Sequence, residues 1–434
     1  MHKTLLAVCL SLVTAQAGAA NLSDIYKLAL RNDPVYASAA AAYRAGMEAL
    51  PQGRALLRPS LDLSANVSRY DSYNNISGSK QYTSPTWTLR LTQPLYRKQN
   101  FESFAQAKLQ VQAVEAQFKL AGQSLILRTA QAYFDVLQAE DSLAATLAQK
   151  AAIAEQLAQA KKSFEVGTAT IVDTDEAQAS YDSTVAAEIA ARNDLDVKRR
   201  ALEKLIRHKA PELDTLTANV AMPSPKPDDM DAWVKQAESS SLAVAVGEAN
   251  AEIARREVAK QNAGYLPSVD LVASYNDTRN AVVSSFGNVD SHSTVVGVQL
   301  GWNFYQGGAT SSLVRQATAN REKAFSDLEN ARLQAALDTR QAYLGVVSGN
   351  ARVAALKQVV ASSQTQLKST KLGREVGVRT SVDVLNSEQQ LYGAERDLAA
   401  ARYAALMSGL NLKAAAGTLS EADLAAFDAL LVKK

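Results

Sequence analysis

Two periodicities alternate along this chain. Leu61, Leu63, Ala65 and Val67 alternate with Asp62, Ser64, Asn66 and Ser68, the spacing of a strand with one apolar face. Trp87, Leu89 and Leu91 alternate in the same way with Thr86, Thr88, Arg90 and Thr92. In the second half, Val269, Leu271, Ala273 and Tyr275 make one such face, and Val296, Val298, Leu300, Trp302 and Phe304 make another. The stretches between, residues 71–85 and 277–292, are rich in Asn, Ser, Gly and Asp. They are expected as loops, so each strand pair is a hairpin.

After each hairpin the period lengthens. Lys98 to Ser163 and Ala309 to Arg374 contain few breakers and predict helices of about 100 Å each. Phe104, Val111, Phe118 and Leu125 recur at heptad spacing, as do Val136 with Leu143 and Leu157 with Phe164, which predicts coiled-coil-like packing with phase shifts. Val166-Gly167 and Val376-Gly377 then interrupt the pattern before a shorter helix returns, over about 168–208 in the first half. Asp33-Pro34 suits a helix start, and the Ala-rich run from Pro34 is expected to continue to about Leu57, where Pro59 stops it. The entry and return helices together nearly match the long one, so two short helices stacked end to end are expected to flank it.

The chain is written twice. Leu127-Arg128-Thr129-Ala130-Gln131-Ala132-Tyr133 matches Leu337-Asp338-Thr339-Arg340-Gln341-Ala342-Tyr343, and Thr170-Ile171-Val172-Asp173 matches Thr380-Ser381-Val382-Asp383. Arg58-Pro59-Ser60-Leu61-Asp62-Leu63 matches Leu266-Pro267-Ser268-Val269-Asp270-Leu271. Ordered matches at an offset of about 210 residues indicate a duplication, far longer than a solenoid period. The expected organisation is a first repeat over 21–210, a Pro-rich seam over 211–226, a second repeat over 227–418 and a terminal segment over 419–434.

Residues 1–20 read as a secretory signal peptide: Lys3, the apolar run Leu5 to Val13, then small residues, with cleavage after Ala19 or Ala20. Cys9, the only cysteine, leaves with it, so the mature chain forms no disulfide or thiolate metal site. Val8 is too bulky in the preceding position for lipid attachment at Cys9. Of 46 basic residues only Lys3 lies in the leader, leaving 45 against 44 acidic ones. Such a balance gives no basic stripe for nucleic acid. Past the leader no run of about 18 apolar residues occurs, so no transmembrane helix is available.

A secreted chain of this kind is either soluble or enters a membrane as strands. Four strands cannot close a barrel, and open edges in lipid leave backbone groups unsatisfied. Closure therefore needs copies: two for eight strands, three for twelve, four for sixteen. Trp87, Trp302, Tyr96, Tyr275 and Tyr305 lie where an interfacial aromatic girdle would sit. On the same residues the alternative is a soluble sheet with aromatics in its core.

The run Val376-Gly377-Val378-Arg379-Thr380-Ser381-Val382-Asp383-Val384-Leu385-Asn386 is the most specific stretch of the chain. With Leu410-Asn411-Leu412-Lys413-Ala414-Ala415-Ala416-Gly417-Thr418-Leu419 and Ala29-Leu30-Arg31-Asn32-Asp33-Pro34, it resembles the TolC family of outer-membrane channels over essentially the whole mature chain. The resemblance implies an α+β membrane protein in which four strands per chain complete a twelve-stranded barrel in a homotrimer, continued by a long α-helical periplasmic tunnel. It implies an outer-membrane exit duct of a tripartite export system, docked to a periplasmic adaptor and driven by an inner-membrane ABC or proton-driven pump, for small molecules, unfolded proteins or both. The seam and Ser420 to Leu430 would form an equatorial collar, and the outer barrel wall would face lipid.

The resemblance also assigns site residues. Polar links closing the tunnel would involve Arg379 and Asp173 on equivalent turns of neighbouring protomers, with Asp383 as the acidic ring of the constriction. Asn386 stands where the family carries a second aspartate, so that ring is neutral here. Arg374 stands where the family carries a tyrosine and is placed to pair with Asp173 instead. Val166, Gly167 and Thr168, with Val376, Gly377 and Val378, would be the adaptor-docking tips. A plainer role is open to both acids, since Thr170 with Asp173 and Thr380 with Asp383 fit helix capping boxes. His208 and His292 lie in no ligand spacing, and no nucleophile elbow, zinc helix or phosphate loop occurs. No enzyme activity and no cofactor are expected. The rival function is a trimeric structural or adhesive outer-membrane coiled coil without a conduit.

Overall fold

The computed structural model describes residues 19–75, 78–217, 220–284 and 287–433. The expected leader, with His2, Lys3 and Cys9, falls almost wholly outside the described residues. The chain divides into two compact units, one built from residues up to 38, 121–240 and 336–434, the other from 39–120 and 241–335. Three helices contribute to both: α2 (Pro34–Met47), and the long α4 (Lys98–Glu165) and α8 (Ala309–Glu375), unbroken over 68 and 67 residues. No described helix is long and apolar enough to cross a membrane.

The unit containing residues 39–120 and 241–335 carries a four-stranded antiparallel sheet in the order β1-β2-β4-β5. Its strands are β1 (Ser60–Asn74), β2 (Gly78–Tyr96), β4 (Ser268–Ser284) and β5 (Gly287–Gly301). Cross-strand partners share a face, so the register sorts the rows. Leu61↔Leu91, Leu63↔Leu89 and Ala65↔Trp87 make one face apolar, whereas Ser64↔Thr88 and Asn66↔Thr86 make the other polar. The polar rows continue into β4, where the Thr88 hydroxyl donates to Asn276 Oδ1 at 2.8 Å. At the Pro94/Tyr96 irregularity, Tyr96 pairs with Val269 and so joins the apolar face, the re-aiming of a side chain that a bulge produces.

The expectation of loops over 71–85 and 277–292 is corrected here. β1 runs to Asn74 and β2 starts at Gly78, while β4 reaches Ser284 and β5 begins at Gly287. His292 therefore lies within β5, opposite Asp277. Ladder hydrogen bonds are made by the backbone and are indifferent to side-chain polarity; polarity on both faces reports solvent, not the end of a strand. The two hairpins pair with each other only from Thr86↔Thr278 to Tyr96↔Val269, about the height that a membrane-spanning strand requires.

The second unit owes its core to five helices. These are α1 (Leu22–Asn32), α4, α5 (Ile171–Ile206), α9 (Ser381–Ala415) and α10 (Glu421–Asp428). Leu22 and Ile25 meet Tyr133, Phe134 and Leu137, with Leu202, Ile206, Leu410 and Leu424 closing around them. Buried Tyr133 donates to the Asp214 carbonyl at 2.9 Å, and burial pushes its hydroxyl well above the ordinary phenol range. The terminal segment is tied in by β6 (Leu431–Val432) pairing with β3 (Thr215–Leu216). Ala20 is likewise built in, bridged to Leu213. The entry helix differs from expectation: it is split at Glu48 into α2 (Pro34–Met47) and α3 (Ala49–Ala55), with Asp33 Oδ2 accepting from the Tyr36 amide at 3.0 Å.

Candidate gate and docking turns

The turn after α4 and the turn after α8 are built the same way. Gly167 and Gly377 hold φ of +78° and +79°, the left-handed conformation that glycine adopts without a Cβ clash. Thr168 N donates to the Ser163 carbonyl at 2.8 Å, and Val378 N donates to the Gly373 carbonyl at 2.9 Å. Both are the wide closing bond of a Schellman end. The apolar side chains between are left in solvent: Val166 is 73% exposed, Val376 66% and Val378 75%.

Each returning helix then opens with a complete capping box. Asp173 accepts from the Thr170 hydroxyl at 2.7 Å and its amide at 2.9 Å, and Asp383 accepts from the Thr380 amide at 2.9 Å. The Thr170 hydroxyl and amide hold the Asp173 carboxyl below the usual carboxylate range, with a smaller contribution from Arg374. The Thr380 amide and hydroxyl, then Arg379, do the same for Asp383. Both acids therefore carry charge at neutral pH while serving their own helix starts.

Within one chain, Arg379 leans toward Asp383, 4.0 Å away. Gly373 gives it room, since a Cβ there would sit 2.8 Å from Arg379 Cγ. Arg374 donates to Gln156 Oε1 on α4. Asn386 lies beside a polar cavity of about 350 Å³ lined also by Glu176, Ser180, Ser183 and Gln389. Beyond it, Ile153 and Leu157 of α4 pack with Ala177 of α5 and Leu385 of α9.

Sequence reasoning missed a ladder of polar links running up from these turns. Arg396 donates to Gln149 Oε1 at 3.0 Å and Tyr403 to Asp141 Oδ2 at 2.7 Å, both joining α9 to α4. Lys371 meets the fully buried Glu388 at 2.8 Å. The repeat offered a signal for that last pair: Lys161 and Gln178 occupy the corresponding places of the first half and are hydrogen bonded at 3.2 Å. Among the described residues no group of three or more His, Cys, Asp or Glu side chains is arranged to hold a metal ion.

A family model described as outer membrane efflux protein matches residues 25–206 and 233–418. The outer membrane protein TolC of Vibrio cholerae is 32% identical over 419 residues, covering 96% of this chain and 94% of that protein. The alkaline protease secretion protein AprF of Pseudomonas aeruginosa is 31% identical over 424 residues, covering 96% and 88%. The crystal structure of the outer membrane protein VceC from Vibrio cholerae shares the fold, with a TM-score of 0.79 at 18% identity over 91% of this chain and 96% of that one. Matched in both halves by the family model and end to end by these relatives, the chain belongs to the outer membrane efflux protein family, the TolC-like channels of the outer membrane.

Proposed function

We infer that the chain is the outer-membrane exit duct of a tripartite export system and that three copies close into one twelve-stranded barrel. The observation that carries this reading is the sheet itself. Its four strands end on two open edges, β1 and β5, each of 15 residues. Its apolar face leaves Leu61, Leu63, Val296 and Val298 more than half exposed. In lipid those edges are satisfied only by other strands, and an apolar outer face against a polar lumen is the pattern of a membrane barrel. Outer edges of identical copies supply each other. On α8, Leu333, Leu337 and Leu344 are likewise exposed, an apolar stripe at coiled-coil spacing for a neighbouring copy.

Channels of this family work with a periplasmic adaptor and an inner-membrane pump. The exposed tips Val166-Gly167-Thr168 and Val376-Gly377-Val378 are our candidates for the adaptor contact, the former leader being removed after Ala19 or Ala20. Between copies, Arg379 and Arg374 would be exchanged for links to Asp173, while Asp383 and Asn386 line the constriction. Exposed links of this kind contribute about 0–1 kcal/mol each, a latch weak enough to open on adaptor contact. The family description supports small-molecule efflux and the AprF name supports protein secretion, so the cargo class spans both.

Purified protein in detergent is expected as a trimer by native mass measurement, and in planar bilayers it is expected to give a small, cation-favouring conductance. Stable monomers would reject the barrel, and a trimer without conductance would favour a structural coiled coil instead.

A further inference from the structure

The two hairpins repeat each other down to their register. Moving 208 positions along from β1 and 209 from β2 turns Ser60↔Thr92 into Ser268↔Gly301, and Leu63↔Leu89 into Leu271↔Val298, which are pairs of β4 with β5. β4 is thus the counterpart of β1, and β5 of β2. The chain therefore holds one example of how the second strand of a hairpin joins the first strand of the next: β2 on β4, from Thr86↔Thr278 to Tyr96↔Val269. The two open edges, β5 and β1, are the counterparts of those joined strands. By the same shifts, Leu91↔Ala273 becomes Leu300 opposite Ala65 of the next copy, and Leu89↔Tyr275 becomes Val298 opposite its Val67. Arg90↔Ser274 becomes Gln299 opposite Asn66. Apolar side chains meet apolar ones, and amide meets amide. A slip of one residue would set Val298 against Asn66 and cross the faces. A slip of two would keep the faces, so a contact outside the ladder has to decide it.

Within the chain that contact is the clamp of Arg97, just past β2, on Asp270 of β4, with hydrogen bonds of 2.7 and 2.6 Å. The counterparts are Gln306, in Phe304-Tyr305-Gln306 against Leu95-Tyr96-Arg97, and Asp62, in Ser60-Leu61-Asp62 against Ser268-Val269-Asp270. In the single chain Asp62 accepts from the Ser60 hydroxyl at 3.3 Å, and no cation pairs with it among the described residues. Gln306 Oε1 is taken by the Thr310 hydroxyl at 3.1 Å, while its amide N–H groups have no acceptor among the described residues. A carboxylate short of donors and an amide short of an acceptor thus stand at the two places that the clamp joins. We propose that neighbouring copies join in this register, the Gln306 amide of one donating to the Asp62 carboxylate of the next. This rests on the trimeric duct reading and fixes which residues face each other across the seam. The seam then repeats the junction inside the chain with a neutral donor in place of a guanidinium fork, a weaker link, so copies part there before the hairpins of one chain do.

The test is disulfide trapping in membranes, in the full chain with Cys9, its only cysteine, changed to Ser. Ala65→Cys with Leu300→Cys should give covalent dimers and trimers on denaturing gels. Ala65→Cys with Val298→Cys, and Val67→Cys with Leu300→Cys, should not, because diagonal neighbours lie about 7–8 Å apart and a disulfide spans Cα atoms about 4.4–6.8 Å apart. Leu91→Cys with Ala273→Cys, the same pair inside one chain, should close without a gain in mass and shows that the chemistry works at this site. Cross-linking by a shifted pair in place of the matched one overturns the register and leaves the trimer standing. If no pair links copies while the internal pair closes and native mass finds monomers, the trimeric reading falls with it. Gln306→Arg should slow dissociation of trimers about tenfold, the step from a neutral to a charged donor, and Asp62→Asn should cancel that gain. An unchanged rate in Gln306→Arg, or a gain that survives Asp62→Asn, overturns the contact.

Discussion

Lys371 is the single charged partner of Glu388, 2.8 Å away, among the described residues, and neither Glu388 oxygen has a further hydrogen-bond donor. In the first half the equivalent link, Lys161 to Gln178, is neutral at its acceptor. The two hairpins thus close on different chemistry. Removing one member of a buried pair strands the other, and because the Lys371 side chain is 45% exposed the loss is softened by water. Lys371→Met should cost about 2–3 kcal/mol, and Glu388→Gln, which copies the first half, less than about 1 kcal/mol. Thermal unfolding of both variants checks this; equal losses would show that burial of the carboxylate does not matter.

A second prediction concerns the junction where β2 runs into α4. Arg97 donates two hydrogen bonds to buried Asp270, at 2.7 and 2.6 Å. Arg97→Ala should destabilise the sheet by about 2 kcal/mol. Arg97→Lys should recover less than half of that, because an ammonium does not reproduce the fork. The unfolding temperature of the strands in detergent is the readout, and full rescue by lysine would reduce the pair to simple charge.

Acid sensitivity should centre on Asp33. Burial pushes its carboxyl up, but hydrogen bonds from Arg128 and from the Tyr36 and Val35 amides outweigh burial and leave it below the usual range. A depressed folded pKa stabilises fully above the unfolded value, about 4, and that stability is lost as pH falls through the folded value. Arg128→Met should therefore cost most at pH 7 and progressively less toward pH 3. A pH-independent difference in unfolding would place the contribution of Arg128 in packing instead.

Capping and gating by Asp383 can be separated, since asparagine at this third position of the box keeps an acceptor for the Thr380 amide and loses the charge. Asp383→Asn is expected to weaken block by multivalent cations applied from the helical side, with a stability loss of about 0.3–1 kcal/mol from the charge missing at the helix start. Thr380→Ala should do the reverse, costing about 1 kcal/mol with block unchanged. Block that survives Asp383→Asn would remove this residue from the constriction.

The latch makes the last prediction. Arg379→Ser should raise single-channel conductance by loosening links between copies, whereas Gln156→Ala, which removes only the Arg374 contact made inside one chain, should do so less. Conductance held at the closed level in Arg379→Ser would mean that its pairing with its own Asp383 is its whole role.

What the sequence by itself determined was local or repeated. Gly167 and Gly377, the Thr-x-x-Asp boxes and the alternation from Leu61 to Val67 each follow from interactions within a few residues, and the duplication shows each of them twice. Burial across sequence distance was not legible. The repeat sets Lys371 and Glu388 in the places of Lys161 and Gln178, but spacing alone discloses neither that contact nor the stacking of Tyr70 on Tyr82 across β1 and β2, because both depend on the register of neighbouring elements. The strand ends were misread for the same reason: side-chain polarity records which face meets apolar surroundings, whereas the ladder from Ser68↔Ser84 to Asn74↔Gly78 is held by backbone groups that the pattern of side chains does not report. Tertiary structure also decided where Arg379 and Arg374 rest, since a long flexible cation takes whichever acceptor the packing of α4, α8 and α9 brings within reach.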